Sequence, residues 1–98
     1  MDKQSYVYIM ASARNGTLYI GVTSDLIKRV WQHREGKADG FTKMYGIKML
    51  VWFEIHTDIT AAITREKQLK KWHRNWKIDL IQKENLRWRD LYDDILGS

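Results

Sequence analysis

Along the first quarter of the chain the hydrophobic positions alternate. Residues 5–11 (SYVYIMA) and 17–23 (TLYIGVT) are rich in tyrosine and β-branched side chains, the make-up of half-buried strands. Between them stands ASARNG, whose Asn15-Gly16 pair is the strongest short-range turn signal, so the two runs predict a β-hairpin. Over residues 25–35 the period becomes helical: Thr23 or Ser24 supplies a cap, Asp25 complements the macrodipole in the first turn, and Gly36 marks the stop. Residues 37–46 read as a loop with room for one helical turn. Residues 47–56 (IKMLVWFEIH) are apolar enough for a third, central strand. Thr57 or Asp58 caps a second helix running to about Trp72, and a third covers roughly residues 75–84, with Trp76, Ile78, Leu80 and Ile81 at its apolar positions. The last stretch, WRDLYDDILGS, reads as a short closing segment. The expected fold is α/β (α+β) in β-β-α-β-α-α order: a small three-stranded mixed or antiparallel sheet flanked by helices.

Composition narrows the class. Ninety-eight residues, 44% hydrophobic and 12% aromatic, suit a single domain over 1–98, because two domains would each be too small for a core. The absence of cysteine excludes a disulfide scaffold and a thiolate zinc finger and agrees with a reducing compartment. No run approaches the roughly 18 apolar residues that span a bilayer, and MDKQSYVYIM lacks the basic start and cleavage site of a signal peptide, so the expectation is a cytoplasmic protein without a membrane partner.

The net charge of +5 is carried by one stretch: REKQLKKWHRNWK, residues 65–77, sets Arg65, Lys67, Lys70, Lys71, Arg74 and Lys77 against Glu66. Cations gathered in a helical run point to a polyanion, with Lys67, Lys70, Lys71, Arg74 and Lys77 as phosphate contacts. Trp72 and Trp76, interleaved with them, serve either as flat surfaces for bases or sugars or as core residues beneath a solvated charged face.

Three polar side chains fall on apolar faces. Stepping about 100° per residue from Leu26, Arg29 and His33 lie within roughly 60° of it, and on the next helix Glu66 lies within about 20° of Ile59. Arginine can snorkel, and a lone inward histidine is commonly a satisfied core residue. A guanidinium, an imidazole and a carboxylate all turned from solvent are costly unless they meet one another, a metal or a ligand, which favours a phosphate-handling pocket. Alternation adds Tyr6 and Tyr8 on one face of the first strand and Tyr19 and Gly21 on one face of the second.

Tyr6-Val7-Tyr8, ten intervening residues and then Tyr19-Ile20-Gly21 resemble the hairpin of the GIY-YIG nuclease superfamily. Arg29 and His33 in LIKRVWQH resemble its first-helix segment, and Glu66 in TREKQLKKWHRNWK is similar to the helix bearing the family's metal-binding glutamate. Asn85, after LIQKE, matches a C-terminal asparagine found in many members and is grouped with the candidate DNA contacts. The resemblance covers nearly the whole chain and is to the small, stand-alone bacterial (URI-type) branch. The chain departs from the first motif in having Tyr6 for its glycine and Val7 for its isoleucine.

The resemblance implies a metal-dependent endonuclease cutting DNA, with Tyr8, Tyr19, Arg29, His33 and Glu66 as catalytic residues and Glu66 holding Mg²⁺ (or Mn²⁺). One carboxylate suits an ion that keeps much of its hydration shell, and the planar fork of Arg29 suits a phosphate. The base stays open among Tyr8, Tyr19 and His33, since a free phenol has a pKa near 10 and needs neighbouring positive charge to lose its proton. Lys43 and Tyr45 are further candidates for the phosphate. The expected target is branched, flapped or single-stranded DNA, reached directly or through a recruiting protein, by a monomer or weak dimer; RNA stays open. Two other readings are a non-catalytic nucleic-acid-binding module and an interaction domain for an acidic protein or anionic membrane. The latter is disfavoured by Glu66, which interrupts the apolar face a membrane helix needs.

Overall fold

The middle of the sheet belongs to the strand whose two faces and two edges are all covered. In the computed structural model, which describes residues 4–38 and 40–97, that strand is β1 (Ser5–Ala11), paired antiparallel with β2 (Leu18–Thr23) on one side and with β3 (Met49–His56) on the other. β3 is therefore an edge strand, not the central one its apolar run predicts. Its hydrophobicity reports two covered faces rather than two paired edges: Val51 and Trp52 go to one side of the sheet, Leu50 and Phe53 to the other. Adjacent Val51 and Trp52 share a side because the register with β1 slips between Ile9 and Met10, as a β-bulge requires. The sheet is wholly antiparallel.

The chain runs β1, β2, α1 (Leu26–Arg34), α2 (Gly40–Met44), β3, α3 (Ile59–Lys71), α4 (Arg74–Glu84) and α5 (Tyr92–Gly97). The expected order holds, with two short helices added: α2 inside the loop and α5 in the closing segment. At the hairpin turn Asn15 takes φ 57°, the left-handed conformation that asparagine tolerates, and Ser12 N–H donates to the Thr17 carbonyl at 3.0 Å. Asp25, rather than Thr23 or Ser24, caps α1, its carboxylate accepting from Lys28 N–H at 3.2 Å. Thr23 acts one step earlier, its hydroxyl accepting from Asp25 N–H at 3.1 Å. Gly36, at φ 70°, ends the helix as expected. Asp58 caps α3, accepting from Thr60 N–H at 2.9 Å.

Helices cover both faces of the sheet. On one, Val7, Ile9, Ile20, Val51 and Trp52 meet Ala62 and Leu69 of α3, Ile81 of α4 and Trp88. On the other, Tyr8, Met10 and Leu50 meet Leu26 and Val30 of α1, Ile47, and Leu91, Tyr92 and Ile95 near α5. Asp90 ties this second layer together: Oδ1 accepts from the N–H groups of Leu50 and Tyr92, both at 3.1 Å, and Oδ2 pairs with Arg34 of α1. Among the described residues no helix is long and apolar enough to cross a membrane.

Candidate functional site

The second face of the sheet carries a chain of hydrogen bonds at its middle. Tyr8 on β1 points into this layer because Val7 and Ile9 point the other way. Its hydroxyl lies 3.1 Å from Nε2 of His33, and Nδ1 of His33 lies 3.0 Å from Oγ1 of Thr42 on α2. Both Tyr8 and His33 are only 1% exposed, so neither polar group has bulk water as an alternative partner. His33 reaches this depth because α1 buries Leu26, Val30 and His33 along one stripe.

Arg29, one turn before His33, lies close enough to the Tyr8 and Tyr19 side chains to feel them; Tyr8 is the larger influence, and it raises the guanidinium pKa further. Nη1 of Arg29 also donates to Gln32 Oε1 at 3.1 Å, which fixes the fork's direction. One tautomer satisfies both contacts: with the ring proton on Nδ1, His33 donates to Thr42 Oγ1 and accepts the Tyr8 phenol proton at Nε2, which leaves the phenol lone pairs to face the Arg29 guanidinium.

Tyr19 completes the cluster from β2, its ring 5.1 Å from that of His33 and 6.3 Å from that of Tyr8. Glu66 arrives from α3. Its side chain is 14% exposed, and Lys70, one turn on and half-exposed, sits 3.1 Å from Oε2. Glu66 is close enough to disfavour negative charge on Tyr8. Burial, chiefly, pushes the Tyr8 phenol up to about 12, against the lowering influence of Arg29. The sequence-based expectation that neighbouring positive charge lowers a site tyrosine is reversed at Tyr8 by desolvation.

Tyr8, Tyr19, Arg29 and His33, drawn from three separate elements, thus meet in one place, and Glu66 of α3 stands within electrostatic reach of Tyr8. The other candidates do not behave as a group. Lys67 and Lys71 are exposed on α3. Lys70 is engaged by Glu66, and Nζ of Lys77 approaches the Lys70 carbonyl at 3.5 Å. Arg74 donates from one nitrogen to the Asn15 and Gly16 carbonyls, both at 2.6 Å, so it braces the hairpin turn against α4. Trp72 packs against the core while Trp76 is exposed, dividing the two roles weighed for the pair. Lys43 and Tyr45 lie at and just after the end of α2, and the Tyr45 ring packs against that of Phe41 at a tilt of 46°.

Asn85 is a correction. It is buried, and its amide donates to the Val51 and Arg89 carbonyls at 3.1 and 2.9 Å and accepts from Arg89 N–H at 2.9 Å. With its hydrogen-bonding groups turned inward it holds the 85–89 turn to β3, where Trp88 takes φ 57°, a structural role in place of the surface position a DNA contact needs. Thr42, Gln32 and the steric role of Gly21 were not singled out from sequence. Thr42 carries no periodic signal, because it sits on a five-residue helix in a segment that reads as loop.

The profile of the GIY-YIG catalytic domain matches residues 4–79. A UPF0213 protein of Staphylococcus epidermidis is 37% identical over 82 residues, covering 84% of this chain and 98% of that one. A UPF0213 protein of Clostridium perfringens is 35% identical over 83 residues, 85% of this chain and 88% of that one. The solution structure of a UPF0213 protein from Bacillus halodurans superposes with a TM-score of 0.56 at 26% identity, covering 92% of this chain and 95% of that one.

Proposed function

We propose, from the premise that this chain belongs to the GIY-YIG catalytic-domain family, that it is a metal-dependent endonuclease hydrolysing phosphodiester bonds of DNA in the cytoplasm. The observation that carries the reading is the buried Tyr8–His33–Thr42 relay with Arg29 at its head. A domain built only to grip DNA has no use for a proton path beneath the surface.

The donor set fits a hard divalent ion. Glu66 brings one shielded carboxylate whose lysine partner is half-exposed and able to swing away. Among the described residues no three His, Cys, Asp or Glu side chains gather into a protein cage. That suits Mg²⁺ or Mn²⁺, which fill their coordination with water and phosphate oxygens, and does not suit zinc. Bound at Glu66, the ion supplies Lewis-acid charge for the phosphoryl and leaving oxygens.

The chain's own groups do the rest. Arg29 presents its fork to the non-bridging oxygens, where negative charge grows in the transition state. Tyr8 accepts a proton from the attacking water as it passes its own to His33 Nε2. A free phenolate is not needed, and burial, which pushes the phenol up to about 12, works against it. Thr42 holds the imidazole at Nδ1, which keeps Nε2 aimed at Tyr8. Tyr19, partly exposed, borders the entrance and contacts the phosphate or sugar beside the cut. The choice of target rests on DNA structure, of the kind met in repair and recombination, or on a recruiting protein.

Cleavage of labelled linear, branched and single-stranded DNA with Mg²⁺ or Mn²⁺ tests this. Wild type is expected to cut, while folded Glu66→Ala binds with unchanged affinity and does not. If neither cuts and both bind with a steep salt dependence, the nuclease reading fails and the chain is a binding module.

A further inference from the structure

Aromatic rings do not stop at the site; they continue from it to the surface. Tyr8 meets Tyr19 at 6.3 Å, Tyr19 meets Phe41 at 6.4 Å, and Phe41 meets Tyr45 at 4.7 Å between ring centroids. The first ring is buried and the last two are not: Phe41 is 43% exposed and Tyr45 50%, with Met44 between them in sequence at 78%. Single exposed apolar side chains are ordinary on a protein surface. Three within five consecutive residues, continuous with the rings of a candidate active site, are a feature of the segment.

The placement of α2 is firm. Thr42, at its centre, is buried and faces Nδ1 of His33 at 3.0 Å, and its carbonyl accepts from Ile47 N–H at 2.8 Å. With Thr42 turned inward, Phe41, Met44 and Tyr45 turn outward. Lys43, exposed on the same short helix, lays its stem past Gly36 at the end of α1. Flat, partly exposed rings that run on from a phosphate-handling site suit a nucleobase, which seeks a π-face.

We infer that Phe41 and Tyr45 form a stacking platform for an unpaired nucleobase next to the cleaved phosphate, so that α2 selects DNA carrying a splayed or single-stranded nucleotide at the site. A paired base keeps its faces against its neighbours and cannot use the platform, whereas an unpaired one stacks at little cost. The inference deepens the nuclease reading by giving it a source of structural preference, and it rests on that reading. It also gives His33 a second consequence: the imidazole that orients Tyr8 through one nitrogen positions the platform through the other.

Binding without metal separates the two ideas. DNA carrying 2-aminopurine at an unpaired position, and the fully paired duplex of the same sequence, are titrated in chelator with wild type, Phe41→Ala, Tyr45→Ala and the double variant, whose folding is checked by thermal melting. Wild type is expected to bind the unpaired substrate roughly ten-fold more tightly than the duplex and to quench the 2-aminopurine, as stacking on aromatic rings does. The double variant is expected to bring the ratio near unity, its affinity for the unpaired substrate falling several-fold more than its affinity for the duplex, because the lysine contacts to phosphate remain. Phe41→Leu, apolar but without a π-face, is expected to behave as Phe41→Ala. An unchanged ratio in the double variant, absence of quenching, or loss of the preference in Trp76→Ala instead overturns the platform. These outcomes are independent of cleavage, so a wild type that cuts with Mg²⁺ but shows no stacking preference retains the nuclease reading and loses this one.

Discussion

Tyr8 and Gly21 face each other across the β1–β2 ladder, and the phenol ring of the first lies over the bare backbone of the second. A Cβ at position 21 would stand 2.5 Å from the Tyr8 hydroxyl oxygen and 2.6 Å from Cζ, distances that real Cβ atoms do not reach. The last residue of the YIG triplet is therefore glycine for space, not for backbone conformation. The ring can lie flat across β2 and deliver its hydroxyl to His33 only because nothing projects there.

Gly21→Ala is expected to displace the Tyr8 ring, destabilise the protein by about 1–3 kcal/mol as an overpacked core does, and abolish cleavage. In a Tyr8→Phe background the alanine is expected to cost as much as in wild type, since Cζ remains in the way, whereas in a Tyr8→Val background, measured against Tyr8→Val alone, it is expected to cost little. Urea unfolding of the two double variants checks this cycle. Equal stability of Gly21→Ala and wild type would show that the ring yields without cost.

Alkaline titration isolates Tyr8. Its phenol is pushed from 10.0 up to about 12 by burial, so the folded state holds this proton more tightly than the unfolded one. The resulting stabilisation is fully present below pH 10 and is lost as pH rises through about 12, amounting at most to roughly 2–3 kcal/mol. Ultraviolet difference absorbance is expected to show a late-ionising phenol in wild type that is missing from Tyr8→Phe. If the two curves superpose, Tyr8 is not shielded as described.

The cations of residues 65–77 divide by what they already hold. Lys67→Ala and Lys71→Ala, on the free surface of α3, are each expected to weaken DNA binding and to lower the salt slope by about one. Arg74→Ala removes the brace on the Asn15 and Gly16 carbonyls. It is expected to lower the melting temperature, by at most about 1 kcal/mol in stability at this exposed position, with less effect on the slope than either lysine. Binding isotherms at a series of salt concentrations decide it, and a full unit of slope lost in Arg74→Ala would return it to the DNA contacts.

Asn85→Ala strips three inward hydrogen bonds and leaves the Val51 carbonyl buried without its donor. A loss of about 2–3 kcal/mol is expected, with DNA affinity of the folded variant unchanged. Normal stability with weakened binding is the outcome that would restore Asn85 as a contact.

The sequence by itself was enough for the features that local chemistry controls. The hairpin follows from Asn15-Gly16 and two runs that alternate with period two. The end of α1 follows from Gly36, the start of α3 from the Thr57-Asp58 pair, and the inward set of Arg29, His33 and Glu66 from helical spacing. Each depends on residues within a turn or two of one another, so the order along the chain carries it. What only the tertiary structure decided involves partners that no local period links. The apolarity of β3 could not say whether its edges or only its faces were covered. Asn85 reads as a candidate DNA contact until its amide is seen to bond Val51 of a distant strand. Tyr8 depends on the emptiness at Gly21, and its pKa on the depth to which α1 and α2 bury it, a desolvation that outweighs the pull of Arg29. Thr42, on a short helix with no periodic signature, gains meaning only where the fold brings it within 3.0 Å of His33. Side-chain chemistry is written in the sequence, but which groups lose water together depends on how the elements pack, and that loss sets the properties of the site.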